Sequence, residues 1–140
     1  FSAAVKNNGE LWMWGWNYKG VVGNENTGGT HGFAPAKLMD DVVSVSLGYL
    51  HAAAIKRDGS LWTWGDNSHG ELGDGTTESS TTPVKVMDGV SAVSLGGSHT
   101  GVIMTDGSLL TWGCNDDGQL GNETTCQGDG RRCFDIIRRA

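Results

Sequence analysis

The 140-residue sequence predicts an all-β fold: β-propeller blades of four antiparallel strands each, about three of them, in an incomplete ring. Three observations carry this expectation. Glycine supplies 23 residues, about 16% against a usual ~7%. The longest stretch without it, 33–47, contains Pro35, so long helices have almost nowhere to sit. A Trp-Gly segment recurs three times at a near-constant interval, and each copy opens on Asn-Gly or Asp-Gly, a strong hairpin signal.

The repeats are Asn8-Gly9-Glu10-Leu11-Trp12-Met13-Trp14-Gly15-Trp16-Asn17, Asp58-Gly59-Ser60-Leu61-Trp62-Thr63-Trp64-Gly65-Asp66-Asn67 and Asp106-Gly107-Ser108-Leu109-Leu110-Thr111-Trp112-Gly113-Cys114-Asn115. Trp14, Trp64 and Trp112 stand 50 and 48 residues apart. The turn pairs are expected to be two-residue type I′ turns, joining an incoming strand (52–56 in the second copy) to an outgoing one (61–64). Alternation at Val43, Val45 and Leu47 marks a third strand with one buried face. Ala36-Lys37-Leu38 and Val84-Lys85-Val86 each follow a proline and suit a short fourth strand at a sheet edge, where proline is tolerated. Four strands in about fifty residues is one propeller blade. The units read as 1–50, 51–99 and a partial 100–125, followed by a non-repeat tail, 126–140.

Composition narrows the function. No apolar run approaches the ~18 residues of a membrane helix, so no membrane partner is expected. Residues 1–125 hold six basic and fourteen acidic side chains, a net of −8, whereas 126–140 hold Arg131, Arg132, Arg138 and Arg139 against two aspartates, a net of +2. An acidic body repels phosphate backbones, so no nucleic-acid partner is expected either. The short charged tail is expected to be solvated. At about fifty residues per unit the chain holds under three units, whereas closed rings have ~4–8 blades. Exposed strand edges are a liability, so the chain is expected to be a fragment of a longer propeller or to close a ring by self-association.

The run Trp-Gly-x-Asn-x-x-Gly-x-Leu-Gly, in Trp64 to Gly73 and Trp112 to Gly121, resembles the signature of the regulator-of-chromosome-condensation repeat family. The first copy departs from it, with Val22 where the others have Leu72 and Leu120. The resemblance implies a seven-bladed propeller type whose members bind other proteins; one promotes nucleotide exchange on a small GTPase and another inhibits β-lactamases. The first reading is therefore a protein-interaction module without chemical catalysis, not an enzyme, its unidentified protein partner held by loops between strands. The alternatives are a guanine-nucleotide exchange factor for a small GTPase and a secreted enzyme-inhibitor propeller. The absence of a nuclear-targeting run in the body leans the expected location toward the extracellular side or the cell surface. Light sensing, known in a plant member, is set aside, because the Trp-Arg pair of its motif is missing from Gly48-Tyr49-Leu50-His51 and Gly97-Ser98-His99-Thr100.

Period-locked residues should build the scaffold, and residues off the pattern should recognise partners. Trp12, Trp14, Trp62, Trp64 and Trp112 are expected to pack between blades, with each indole N–H finding an acceptor. His51 and His99 share one slot and are expected to tie strands by a hydrogen bond. The partner-binding candidates are Trp16, Tyr18, His31, Phe33, Tyr49, Asp66, His69 and Asp117, in or beside the irregular stretches 24–33 and 74–82 and the slot after Trp-Gly. No catalytic constellation, metal site or cofactor is expected. Asn115-Asp116-Asp117-Gly118 lacks the acidic spacing of a calcium loop, and the glycines fit no phosphate-binding motif. Of the three cysteines, Cys126 and Cys133 could close a disulfide if the chain is extracellular, free thiols being the favoured reading, and without Cys-x-x-Cys a zinc site is not expected.

Overall fold

The computed structural model describes residues 1–24, 33–121 and 137–139. Three antiparallel sheets follow one another along the chain. The first orders β1 (Ser2–Val5), β2 (Leu11–Gly15) and β3 (Phe33–Met39), with a single 3-10 turn at Tyr18–Gly20 between β2 and β3. The second orders β4 (Val42–Leu47), β5 (His51–Lys56), β6 (Leu61–Gly65) and β7 (Ser80–Met87). The third orders β8 (Val90–Leu95), β9 (His99–Met104), β10 (Leu109–Gly113) and β11 (Ile137–Arg139). These are propeller blades in an incomplete ring, with no α-helix among the described residues. The proline-led segments are edge strands, since β3 and β7 contain Pro35 and Pro83 and close their sheets.

Three sequence expectations need correction. The strand 42–47 belongs with the residues after it, so the sheets run 2–39, 42–87 and 90–139 rather than in step with units ending at 50 and 99. Period alone does not say which neighbour a strand pairs with. The tail is also not wholly solvated: Ile137–Arg139 pairs with β10 in the place that β3 and β7 take in their own sheets. Finally, the hairpin turns are not type I′. Gly9, Gly59 and Gly107 have φ of +88°, +81° and +86°, but Asn8, Asp58 and Asp106 are not among the positive-φ residues. Gly9 N–H donates to Lys6 O at 2.8 Å, and the other two copies repeat the bond. Each turn is therefore a three-residue loop ending in a left-handed glycine. The Asn or Asp serves a different purpose: Asp58 Oδ1 accepts the backbone N–H and the hydroxyl of Ser60 at 2.9 and 2.6 Å. Asp106 does the same for Ser108.

The core lies between sheets. Leu11, Met13 and Val22 of the first unit meet Val42, Ala52, Ala54 and Trp64 of the second. Ala53, Ile55 and Leu61 meet Val90, Val102, Leu110 and Trp112 of the third. Successive β5 residues alternate between these two cores, as strand geometry requires. A sheet covered on both faces has no solvent side, which is why 52–55 read as an unbroken apolar run. Three alanines there let neighbouring sheets approach closely.

The boundaries are also stitched by hydrogen bonds. Val42 N–H donates to Gly9 O at 2.9 Å, and Val90 N–H to Gly59 O at 3.0 Å. The Trp64 indole donates to Val21 O and the Trp112 indole to Glu71 O, both at 2.8 Å. Thr100 Oγ1 donates to the same Glu71 carbonyl at 2.7 Å. That spends the single hydroxyl proton, so the 3.1 Å contact between His51 Nε2 and Thr100 Oγ1 is a donation from the histidine. His51 is thus a neutral Nε2–H tautomer at the second boundary. Burial, then the nearby His99, lowers its pKa from 6.5 to about 4.

Candidate protein-interaction face

Antiparallel pairing sends the β4–β5 and β8–β9 turns and the β2–β3 and β6–β7 loops out at one end of the sheets, and the hairpin turns out at the other. The Trp-Gly-x-Asn-x-x-Gly segment opens the loop end. Its asparagine is buried and fixes the loop: Asn67 Oδ1 accepts Leu72 N–H at 2.9 Å, while Nδ2 donates to Thr76 O and Glu78 O, each at 3.1 Å. Asn17 and Asn115 clamp Val22 and Leu120 in the same way. Once the asparagine and glycines are committed to the scaffold, only the x positions are left to point outward. These are Trp16, Tyr18 and Lys19 in the first copy, Asp66, Ser68 and His69 in the second, and Cys114, Asp116 and Asp117 in the third.

The first two sets form a continuous cluster across the first boundary. Trp16 and Tyr18 are 42% and 44% exposed, and their rings stack at 5.2 Å with a 10° interplanar angle. Lys19, held at φ +60°, reaches across so that its Nζ lies 3.7 Å from Asp66 Oδ1. Ser68 and Ser79 donate to Asp66 at 3.0 and 3.1 Å. Burial pushes the Asp66 carboxyl up, but these hydroxyls and the Lys19 charge outweigh it and hold it below its ordinary value. Ser68 Oγ also lies 3.1 Å from His69 Nδ1, which sits 3.1 Å from Glu71 Oε1. His69 is exposed but engaged, whereas the Glu71 side chain is 2% exposed.

Tyr49, at 71% exposure, and Asp117 share this end. Phe33 begins β3 opposite Gly15, its side chain lying outside the described residues, as do His31, Cys126 and Cys133. Lys19 and Ser79 escaped the sequence reading. The signal for Lys19 was its slot: it stands where His69 and Asp117 stand in the other copies. Cys114 is a free thiol whose pKa burial raises. No group of three metal-ligating side chains occurs among the described residues.

Charge is distributed unevenly between the ends. Among the described residues the loop end carries Asp66, Glu71, Asp74, Glu78, Asp116 and Asp117 against Lys19, a formal −5. The hairpin end sets Lys6, Lys37, Lys56, Arg57, Lys85, Arg138 and Arg139 against six carboxylates, a formal +1.

Comparison with known proteins agrees with this architecture. The family model described as the regulator of chromosome condensation (RCC1) repeat matches residues 8–55, 58–103 and 106–133, and a second model of that repeat matches 42–71 and 90–119. No curated protein matches the chain. The crystal structure of human WBSCR16 is similar with a TM-score of 0.79 at 21% identity, over 98% of this chain and 36% of that one. A chain in the crystal structure of Kap60 bound to yeast RCC1 (Prp20) gives 0.72 at 23% identity, over 81% and 30%. Prp20p from Saccharomyces cerevisiae, reported with its binding properties to Gsp1p and histones, gives 0.79 at 22% identity, over 99% and 34%. The chain thus spans about a third of the structures it resembles, and at these identities the likeness concerns the fold.

Proposed function

The chain belongs to the regulator of chromosome condensation (RCC1) repeat family, and from that premise we propose that it is a protein-interaction module that binds its partner through the loop end of its blades, without a chemical step of its own. The observation that carries the proposal is the contrast among tryptophans. Trp64 and Trp112 are fully buried and hydrogen-bonded between sheets. Trp16, which sits off the pattern, is displayed on Tyr18 at the end where the copies differ. A rigid, exposed aromatic pair loses little conformational freedom on binding and is the usual anchor of an interface hot spot. The formal −5 of the described residues at the same end supports a partner whose contacting surface is positive, because complementary charge speeds encounter.

The test is affinity capture by the purified chain alongside a Trp16→Ala/Tyr18→Ala variant, followed by titration of whatever the wild type alone retains. Binding that is at least tenfold weaker in the variant, with unchanged folding, is the expected result. Equal binding removes these residues from the interface. Release of labelled nucleotide from a small GTPase, measured with the same preparations, separates an exchange factor from a plain binder.

A further inference from the structure

The side chains that the second sheet presents at the loop end fix one another's protons. Ser68 Oγ lies 3.0 Å from Asp66 Oδ2 and 3.1 Å from His69 Nδ1. Asp66 is held in its charged form and only accepts, so the single Ser68 proton goes to it. The contact between Ser68 and His69 is then a donation from Nδ1. Glu71 gives the same answer independently: its Oε1 lies 3.1 Å from Nδ1, and a carboxylate accepts. Both contacts need a proton on Nδ1, so the neutral ring carries none on Nε2.

The ring is also anchored. Glu71 Oε2 accepts the His69 backbone N–H at 2.8 Å, and the Glu71 side chain is buried while that of His69 is 46% exposed. The imidazole is clamped along its Nδ1 edge and leaves Nε2, a bare acceptor, without a partner among the described residues. Asp66 and Glu71 flank the ring within an end that is formally −5 among the described residues, so a cationic donor is favoured over a neutral one. The chain's own Lys19 follows this preference: its Nζ lies 3.7 Å from Asp66 Oδ1 and 5.9 Å from the Tyr18 ring centroid. Both distances are near the outer limit of such contacts, so that hold is weak and can yield to a better-fitted cation. A guanidinium fits better, because it is planar, stacks on aromatic faces such as the Trp16–Tyr18 pair, and is less strongly hydrated than an ammonium.

We propose that His69 is a specificity-determining residue of the loop end, its Nε2 accepting a hydrogen bond from the guanidinium of an arginine exposed on the partner protein. This rests on the reading of that end as a protein-interaction face and names the chemistry it selects. No other copy offers a ring here, since Lys19 and Asp117 fill the slot. His69 thus distinguishes the second unit by a directed acceptor, where Asp66 and Glu71 supply only charge. The probe is acetyl-Gly-Arg-Gly-amide, titrated into the 140-residue chain and followed by nitrogen NMR of the histidine rings. The matching lysine and glutamine peptides are the controls. Before addition, at neutral pH, the His69 Nδ1 signal should be that of a protonated nitrogen and Nε2 that of a bare one. The arginine peptide should move the Nε2 signal toward the protonated position in a saturable way, at lower concentration than the lysine peptide. The glutamine peptide should leave it in place.

Two variants separate recognition from support of the fold. The asparagine amide falls near the place of Nδ1 and the glutamine amide near that of Nε2. His69→Asn therefore keeps a donor to Glu71 and loses the outer acceptor, whereas His69→Gln keeps the outer acceptor. Affinity for the arginine peptide, read from the backbone amides of Ser68 and Gly70, should fall at least about fivefold in His69→Asn and by less in His69→Gln. The urea midpoint of His69→Asn should match that of the wild type. A wild-type ring protonated on Nε2 overturns the proposal. So does an arginine peptide that shifts nothing or binds no better than the glutamine one, or undiminished affinity in His69→Asn. Each of these results leaves Trp16 and Tyr18 as they stand, because the peptide titration needs no natural partner and their capture test needs no arginine.

Discussion

Acid should weaken the fold through one residue. His51 lies 1% exposed at the boundary between the second and third sheets, donating to Thr100. Its pKa is about 4 in the folded chain against an ordinary 6.5. The unfolded chain therefore takes up a proton first as pH falls, so stability is full above pH ~6.5 and is lost progressively down to pH ~4. A gap of 2.5 units corresponds to roughly 3 kcal/mol, of which about 2 kcal/mol is lost between pH 7 and pH 5. Measurement at pH 5 avoids the main carboxylate contribution. Glu10, held near 2 by the Trp12 indole and by Lys6 and Lys37, adds stability that is lost only below its ordinary value of 4.5. The assay is urea unfolding followed by tryptophan fluorescence at both pH values, for the wild type and for His51→Gln, which keeps a donor but does not titrate. Whatever His51→Gln costs at pH 7, its loss on acidification should be about 2 kcal/mol smaller than that of the wild type. Identical losses would refute the burial argument.

Three further outcomes follow from the same contacts. In Gly73→Ala a Cβ would meet the Trp112 indole at 2.6 Å, at a φ of +73°, whereas at Gly75 (φ +83°) nothing lies within 4 Å. Gly75→Ala should cost about 1 kcal/mol for the left-handed backbone and Gly73→Ala about 2 kcal/mol more, compared by urea midpoints. Trp112→Phe removes the indole donor to Glu71 and leaves a gap, and should cost about 2–3 kcal/mol. Trp12→Phe, whose indole N–H donates to the Glu10 carboxylate while Lys6 Nζ lies 4.1 Å over its ring, both at the surface, should cost less than about 1 kcal/mol by the same assay. Trp16→Ala should leave the unfolding midpoint nearly unchanged, a shift below about 1 kcal/mol, because its ring stacks on Tyr18 rather than in either core.

Much of the fold was legible because the repeat carries its reasons with it. Trp64 and Trp112 recur at the period since each must reach a carbonyl of the preceding sheet, and Gly73 recurs since the next indole lies over it. The turn type was misread because Asn-Gly and Asp-Gly serve two geometries: the side chain of Asp58 binds the residues that follow, a role that dipeptide identity does not separate from positive φ. Strand 42–47 was placed in the wrong sheet because its alternation marks a buried face without naming the neighbour. The third sheet's outer strand, Ile137–Arg139, follows no repeat pattern and its arginines suggested solvent. At the interaction face, Trp16, Asp66 and His69 could be read as departures from the pattern. Their linkage across the boundary could not, since Lys19 meets Asp66 only when one sheet is laid against the next.

Hydrogen exchange of the six indole N–H groups, read by nitrogen-resolved NMR, tests the division of labour most directly. If period-locked tryptophans bind sheet to sheet, the Trp64 and Trp112 signals should exchange far more slowly than the other four, with Trp16 the fastest or among the fastest. Six indoles exchanging at similar rates, or protection at Trp16 in place of Trp64, would contradict the account.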